Sequence, residues 1–306
     1  MTDFAAAAML RLIRLGLARQ GLAPTPRAAG AALVPLDHKR TLLTGLMQQH
    51  GPGVLLRIGD AVLDAPDEPT LTALTLALDP PDLLSRWQRL ERYVHSRHRT
   101  QRLDEAPGRV RLRHVSLQPG EPPWPAEDLL VWGLLIGLLR KLGPTGLQAS
   151  LHGQPLFGDG RWQDASAAAA HDTAALALRW DGPSAAAGAG AVPSSVAGTL
   201  AHARACLAAD CGAGWTLPRL AAALRLPPRT LQRRLGAAGS SYSALWTEVR
   251  LARSAQLLAQ GRDSPALIGY QCGFADQAHF TRTFRRHTAI TPACYRSQFS
   301  VPATRP

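Results

Sequence analysis

The feature that most constrains the fold is a pattern of two short helices that occurs twice in the last hundred or so residues. In the first copy, Thr216 can cap a short helix, Pro227-Pro228 breaks the chain, and a second helix opens at Arg229. Leu231 and Leu235 are four residues apart and therefore share the inward face of that second helix. The outward residues are then Arg229, Thr230, Gln232 and Arg233. Two short helices with a tight break between them predict a helix-turn-helix.

The second copy follows the same order. Ser264-Pro265 is a cap with proline at the first helical position, Gly273 turns the chain, and Asp276 caps the next helix. Phe280 and Phe284 share the inward face of this helix. The outward residues are then Gln277, His279, Thr281, Arg282 and Arg285.

The spacing of the two copies suits a DNA duplex. Residues 242–260 predict a connecting helix of about 19 residues, which is roughly 29 Å long. Such a helix can hold two recognition helices about one duplex turn apart, so that both enter successive major grooves from one side. Arginine can pair with two acceptors of guanine and glutamine with adenine, so these residue types suit base reading.

The positive charge is concentrated in the same part of the chain. Residues 198–306 hold 14 arginines and 4 acidic residues, whereas residues 1–197 hold 20 basic and 18 acidic residues. Most of the net charge of +12 therefore lies in the last third, which favours a polyanion as partner over a merely solubilising surface.

The residues from Ile268 to Arg286 (IGYQCGFADQAHFTRTFRR), followed by Thr291 to Arg296 (TPACYR), resemble the signature of the AraC/XylS family of bacterial regulators. The resemblance covers about residues 200–298, and the N-terminal half is similar to the effector-sensing domain of the OruR-like group. It implies a DNA-binding module of two subdomains, controlled by a sensor. It also implies base-reading positions at Arg229, Gln232, Arg233, Gln277 and Arg282.

With the outward positions added, we expect base reading by Arg229, Thr230, Gln232, Arg233, Gln277, His279, Thr281 and Arg282. We expect phosphate contacts from Arg234, Arg285 and Arg286. Two positions depart from the family pattern. Gly269 stands where the family usually has alanine, and Ala289 stands where it usually has glycine. Each departure predicts a loss of about 1 kcal/mol in the second copy.

The first 182 residues predict an α+β domain. Apolar residues recur at helical spacing over 83–94, directly after Pro80-Pro81, and they alternate over 110–114, 147–151 and 176–180 as in strands. The run Leu129–Leu139 predicts a buried helix, because about 16 Å of helix is too short to cross a bilayer.

The expected fold is an α+β sensor domain followed by an all-α DNA-binding domain, in which a linker helix joins two helix-turn-helix subdomains. Gly182–Gly198 is uncharged and made almost entirely of small residues, Pro and Gly, which predicts a flexible linker. The expected domains are a sensor at 1–182, a linker at 183–198 and a DNA-binding domain at 199–306.

Other candidate features receive weaker interpretations. The tryptophans at 87, 124, 132, 162 and 180 are assigned mainly to core packing rather than to a ligand pocket. His95 and His98 lie among arginines and are interpreted as a solvated helical face, not as metal ligands. The cysteines lack a C-x-x-C spacing, and Cys272 and Cys294 are expected to be reduced and buried. Arginines interrupt the apolar N-terminal segment, so no signal peptide is expected.

We therefore expect a cytoplasmic, nucleoid-associated bacterial regulator that binds double-stranded DNA at promoters or operators and senses a small-molecule effector. RNA polymerase and a second copy of the chain, joined through the N-terminal domain, are further candidate partners. No cofactor, metal, membrane contact or catalytic group is expected. The alternatives are a non-specific or architectural DNA-binding protein and an enzyme that carries a DNA-targeting domain.

Overall fold

The computed structural model of the protein describes residues 4–22, 33–65, 68–182 and 196–301. The chain divides into two compact units. The first comprises residues 1–66, 74–187 and 286–289, and the second comprises residues 67–73, 188–285 and 290–306. Residues 183–195 of the predicted linker lie outside the described residues, and a helix begins at Val196, inside the range predicted as linker.

The first unit contains both helices and strands. Its helices are α1 (Ala7–Arg19), α2 (Leu36–His50), α3 (Gly53–Arg57), a 3₁₀ turn (Ile58–Asp60), α4 (Ala61–Asp64), α6 (Pro80–Val94), α7 (Pro125–Leu142) and α8 (Ser166–Ala169). Its strands are β1 (Phe4–Ala6), β2 (Leu33–Pro35), β3 (His98–Ala106), β4 (Arg109–Ser116), β5 (Gln148–Leu151), β6 (Gln154–Gly158), β7 (Arg161–Trp162) and β8 (Ala175–Arg179). A further helix, α5 (Pro69–Thr75), spans the division between the units.

Antiparallel pairing organises the strands into a two-stranded sheet, β1-β2, and a six-stranded sheet of order β3-β4-β8-β5-β6-β7. The predicted alternation in β4 is confirmed, since Val110, Leu112 and His114 are buried while the arginines between them are exposed. These inward residues point to the sheet face that packs on the core. The N-terminal region thus contains a sheet, as the sequence predicts.

Helix α7 is the central buried helix of the first unit. Pro125 occupies its first turn, and Gly143 ends it in a left-handed conformation with φ of 84°. The 3₁₀ turn packs so closely that a Cβ atom on Gly59 would overlap the carbonyl of Gly133 in α7, so no side chain fits there. The predicted burial of Leu129–Leu139 is confirmed. None of the helices in the described ranges has the length and apolarity required to cross a membrane.

The second unit is helical. Its helices are α9 (Val196–Ala209), α10 (Leu217–Ala223), α11 (Pro228–Ala237), α12 (Tyr242–Gln260), α13 (Pro265–Gln271), α14 (Gln277–Thr288) and α15 (Pro292–Phe299). The last three residues of α14 fall in the range 286–289 of the first unit. One core cluster lies among α9 to α12 and includes Leu207, Leu220, Leu231 and Leu245. All four cysteines are free, with Cys211 and Cys272 buried but Cys294 only half-buried.

Candidate nucleic-acid interface

The first helix pair consists of α10 and α11. Thr216 caps α10, because its Oγ1 accepts a hydrogen bond from the Arg219 amide at 3.3 Å. The chain then turns through Arg225, which has a φ of 54°, and Pro228 opens α11 at its first turn. The Leu231 side chain is buried in the core cluster, which confirms the predicted inward face of α11.

Burial of that face directs the basic residues of α11 outward. Arg229, Gln232 and Arg233 are exposed, and Thr230 is half-buried. Arg234 is also exposed, but one of its Nη atoms donates to the Thr199 hydroxyl at 3.3 Å. The face therefore presents three arginines and an amide, with no acidic residue on the helix itself.

The second helix pair consists of α13 and α14. Ser264 caps α13 by accepting from the Leu267 amide at 3.2 Å. Gly273 turns the chain with a φ of 73°, which glycine adopts without the steric cost of a Cβ atom. Asp276 then caps α14, since its Oδ1 accepts from the His279 amide at 2.6 Å. This hydrogen bond lowers the pKa of the Asp276 carboxyl, which is therefore ionised at the start of the helix.

Phe280 and Phe284 are fully buried and fix the orientation of α14. Phe274, Phe280, Phe284, Tyr295 and Phe299 form a continuous series of ring contacts, with neighbouring centroids 4.9 to 5.6 Å apart. Such aromatic pairs contribute about 0.5–1.5 kcal/mol beyond the area that they bury. The helix is consequently held by its apolar face.

The outward residues of α14 are not all equally available. Gln277, Arg282, Arg285 and Arg286 are exposed. Thr281 and His279 are half-buried. The His279 ring also packs edge-on against Phe274, with the centroids 5.5 Å apart. The sequence pattern predicts that His279 points outward, whereas the structure shows its ring half-buried against Phe274.

Both positions that depart from the family pattern have a structural consequence. Ala289 has a φ of 69°, in the left-handed region that favours glycine. Gly269 faces Phe280, and a Cβ atom there would lie 3.0–3.1 Å from the side chain of that phenylalanine. Glycine at 269 therefore allows α13 to approach α14 closely. Helix propensity, which favours alanine over glycine, does not predict this packing role.

Helix α12 connects the two pairs and has the 19 residues that the sequence predicts. Its Leu245 and Val249 belong to the core cluster of the first pair. Farther along the helix, Leu251, Ala255 and Leu258 are buried as well. A single continuous helix therefore contributes to the packing of both halves of the second unit.

A separate polar cluster lies buried in the first unit. His98 is only 1% exposed, so the interpretation of His95 and His98 as a solvated helical face is wrong. His98 begins β3, and His95 follows the last residue of α6. The Glu127 carboxylate forms ion pairs with Lys39 Nζ at 3.0 Å and with Arg40 Nε at 3.1 Å. Burial acts to raise the pKa of Glu127, but the charge of Lys39, together with hydrogen bonds from Lys39 and the Trp124 amide, outweighs it and lowers that pKa.

This cluster has the donors of a metal site but already contains a cation. One ligand atom each from His95, His98 and Glu127 lies within 4.8 Å of the others. Lys39 Nζ, however, lies 3.0 Å from both His95 Nε2 and Glu127 Oε1, where its ammonium group supplies positive charge. Burial lowers the pKa of His98 to about 3, so this ring is neutral near pH 7. The arrangement is typical of a buried ion-pair network.

A cavity of about 440 Å³ opens beside this network. Its lining includes His114, Asp128 and Thr173. The two Asp128 oxygens contact His114 Nδ1 at 2.8 Å and the Thr173 hydroxyl at 2.6 Å. Burial raises the pKa of the Asp128 carboxyl. Among the residues that the structure describes, no tryptophan lines this cavity. Trp87, Trp132 and Trp180 are buried, which fits the core role predicted for most of the tryptophans, but Trp124 is 46% exposed.

The C-terminal part of the chain is similar to known proteins. A family model described as "Helix-turn-helix domain" matches residues 220–298. Over 84 residues the chain is 34% identical to the HTH-type transcriptional regulator GadX of Escherichia coli O6:H1, covering 28% of this chain and 31% of GadX. Over 82 residues it is 37% identical to the HTH-type transcriptional activator RhaS of Yersinia pestis, covering 26% of this chain and 30% of RhaS. The matched part therefore spans less than a third of the length of these relatives.

A solved structure from Chromobacterium violaceum is described as a transcriptional regulator of the AraC-type DNA-binding domain-containing proteins. It is 32% identical to this chain, with a TM-score of 0.32. The similarity covers 34% of this chain and 95% of the solved one.

Proposed function

We propose that the whole protein is a sequence-specific transcriptional regulator, because a helix-turn-helix family model matches residues 220–298 and the HTH-type transcriptional regulator GadX is 34% identical over 84 residues. In this proposal α10–α11 and α13–α14 are two helix-turn-helix units, and α11 and α14 are their recognition helices. Double-stranded DNA at promoters or operators is the partner. The first unit of the chain senses a small molecule that controls DNA binding.

The observation that carries the proposal is the pair of exposed polar faces on α11 and α14. Each helix is anchored by two buried apolar residues, and each presents arginine together with glutamine to solvent. Arginine contacts to phosphate supply much of the affinity of such interfaces, and contacts to base edges supply specificity. A non-specific DNA-binding protein needs the charge but does not need two such faces.

The cavity in the first unit supports the effector part of the proposal. Its lining combines prolines, including Pro119, Pro122 and Pro123, with polar residues such as His114 and Asp128. Ligand sites typically combine apolar walls with a few placed polar groups. The proposal also includes contact with RNA polymerase and dimerisation through the first unit.

The test is selection of duplexes from a random pool by the full-length protein, followed by competition against random duplex at one fixed salt concentration. We expect a preferred sequence with two subsites. Arg233→Ala should relax the preference at one or two base pairs, at a cost of about 1–3 kcal/mol. Arg253→Ala is the matched control, since it removes one exposed arginine from α12 and not from a recognition helix.

Two results would count against the proposal. Equal affinity for all duplexes would identify a non-specific or architectural DNA-binding protein. Equal weakening by Arg233→Ala on every sequence, with no relaxed position, would reduce Arg233 to a phosphate contact.

A further inference from the structure

Arg250 occupies an unusual position on α12, between the two helix pairs. One turn earlier, Trp246 packs against the core cluster of the first pair. The Arg250 guanidinium lies over the Trp246 ring, 5.2 Å from its centroid, and over the Phe274 ring at 4.4 Å. Phe274 belongs to the second pair, where its ring contacts Phe280. The guanidinium therefore contacts one ring that packs against the first pair and one ring that belongs to the second pair. Both distances are typical of cation–π interactions.

Arg250 also bonds to the backbone of the second pair. One of its Nη atoms donates to the Gly273 carbonyl at 2.9 Å. Gly273 is the turn residue between α13 and α14, and its φ of 73° is tolerated because it lacks a side chain. A contact to this carbonyl restrains the turn that precedes α14, and hence the position of α14 relative to α12.

The backbone of the first pair approaches the same turn. A Cβ atom on Gly273 would lie 2.9 Å from the Cys211 carbonyl oxygen and 3.6 Å from the Trp246 ring. Cys211 is itself buried in the core cluster of the first pair. Cys211, Trp246, Arg250, Gly273 and Phe274 thus form one contact between the two pairs, here called the inter-pair contact.

We propose that Arg250 is a positioning residue that fixes the orientation of α14 relative to α11, and thereby the spacing of the two DNA subsites that the protein accepts. This inference rests on the proposed DNA-reading role of α11 and α14. A pre-oriented pair of recognition helices binds without the loss of freedom that ordering them on DNA would require. Loss of Arg250 removes the guanidinium that joins Trp246, Phe274 and the Gly273 carbonyl, so the two pairs gain relative motion.

The first measurement needs no DNA. Spin labels placed at the exposed positions Gln232 and Arg282, in a full-length chain with Cys206 and Cys294 replaced by serine, report the distance between α11 and α14. We expect one narrow distance distribution in the parent protein and a broadened one after Arg250→Ala. Arg253→Ala removes the same charge from an exposed position on the same helix and should leave the distribution narrow.

The second measurement uses the unlabelled full-length protein and the selected duplex, with and without one base pair inserted between the two subsites. We expect the parent and Arg253→Ala proteins to lose at least tenfold in affinity on insertion. Arg250→Ala should lose threefold or less, because its recognition helices adjust to the changed spacing. On the unmodified duplex it should bind about tenfold more weakly than Arg253→Ala.

Arg250→Lys separates the role of the planar group from that of the charge. Lysine keeps the charge but has no planar group to lie between two rings, so an intermediate broadening is expected. If circular dichroism shows that Arg250→Ala has lost its helices, both measurements are made on the Arg250→Lys variant instead. Unchanged distance distributions and spacing penalties in the folded Arg250 variants would overturn the proposal. If no preferred duplex can be selected, the DNA-reading proposal fails, and the distance measurement still tests the positioning role.

Discussion

Replacement of Ala289 by glycine should stabilise the second helix pair. Ala289 holds a φ of 69° in the turn between α14 and α15. The left-handed conformation costs an L-residue about 1–2 kcal/mol, and glycine avoids that cost. Glycine also makes the unfolded chain more flexible, which offsets about 0.4–1 kcal/mol of the gain. The expected net stabilisation is about 0.5–1 kcal/mol.

Hydrogen exchange followed by mass spectrometry is the assay of choice, because it reports stability locally in a chain of two units. Peptides from α14 and α15 in the Ala289→Gly protein should exchange roughly two- to fivefold more slowly, as expected from RT of about 0.6 kcal/mol. Peptides from α6 in the first unit should be unchanged.

Ala238→Gly is the matched control for the same chemical change. Ala238 directly follows α11 and has an ordinary φ of −82°, so glycine relieves no strain there and should only destabilise, by about 0.4–1 kcal/mol. Faster exchange in α14 and α15 of Ala289→Gly, or equal effects of the two substitutions, would refute the assignment of strain to Ala289.

Two further predictions concern the packing of Gly269 and the buried histidine His98. Gly269→Ala adds a good helix former, worth up to about 1 kcal/mol, but its Cβ atom would lie 3.0–3.1 Å from buried Phe280. Overpacking costs about 1–3 kcal/mol, so a lower midpoint in thermal unfolding is expected, and a raised midpoint would show that Phe280 yields freely. Because burial lowers the pKa of His98 from 6.5 to about 3, the unfolded chain binds a proton between these pH values that the folded chain does not. The free energy of unfolding should therefore fall as the pH drops below about 6.5, by up to about 1.4 kcal/mol per pH unit for this group. His98→Gln should make that dependence shallower in urea unfolding at pH 6.5, 5.5 and 4.5, and an unchanged slope would contradict the role of His98.

The helix pairs were predictable from the sequence because their signals are local. Caps such as Thr216 and Ser264 act within three residues, and apolar pairs such as Leu231 and Leu235 repeat at the helical period. Once two inward residues are fixed, the outward residues of a short helix follow. The exposure of Arg229 could therefore be derived before any tertiary contact was known.

The sequence could not reveal which distant residues meet. Arg40 and Glu127 are 87 positions apart, yet they form a buried ion pair beside His98, which lies in the core and not on a solvated face. The packing of Gly269 against Phe280 likewise depends on the approach of two helices. Such contacts leave no periodic trace along the chain.

By itself, then, the sequence determined the two helix pairs, their connecting helix, their caps and most of their outward residues, because short-range hydrogen bonds and the 3.6-residue period fix them. Only the tertiary structure decided how the two helix pairs are joined through Arg250, and how Lys39, Arg40 and Glu127 meet in the first unit. The physical reason is that packing energy depends on the distance between atoms in space, and chain folding sets that distance independently of sequence separation.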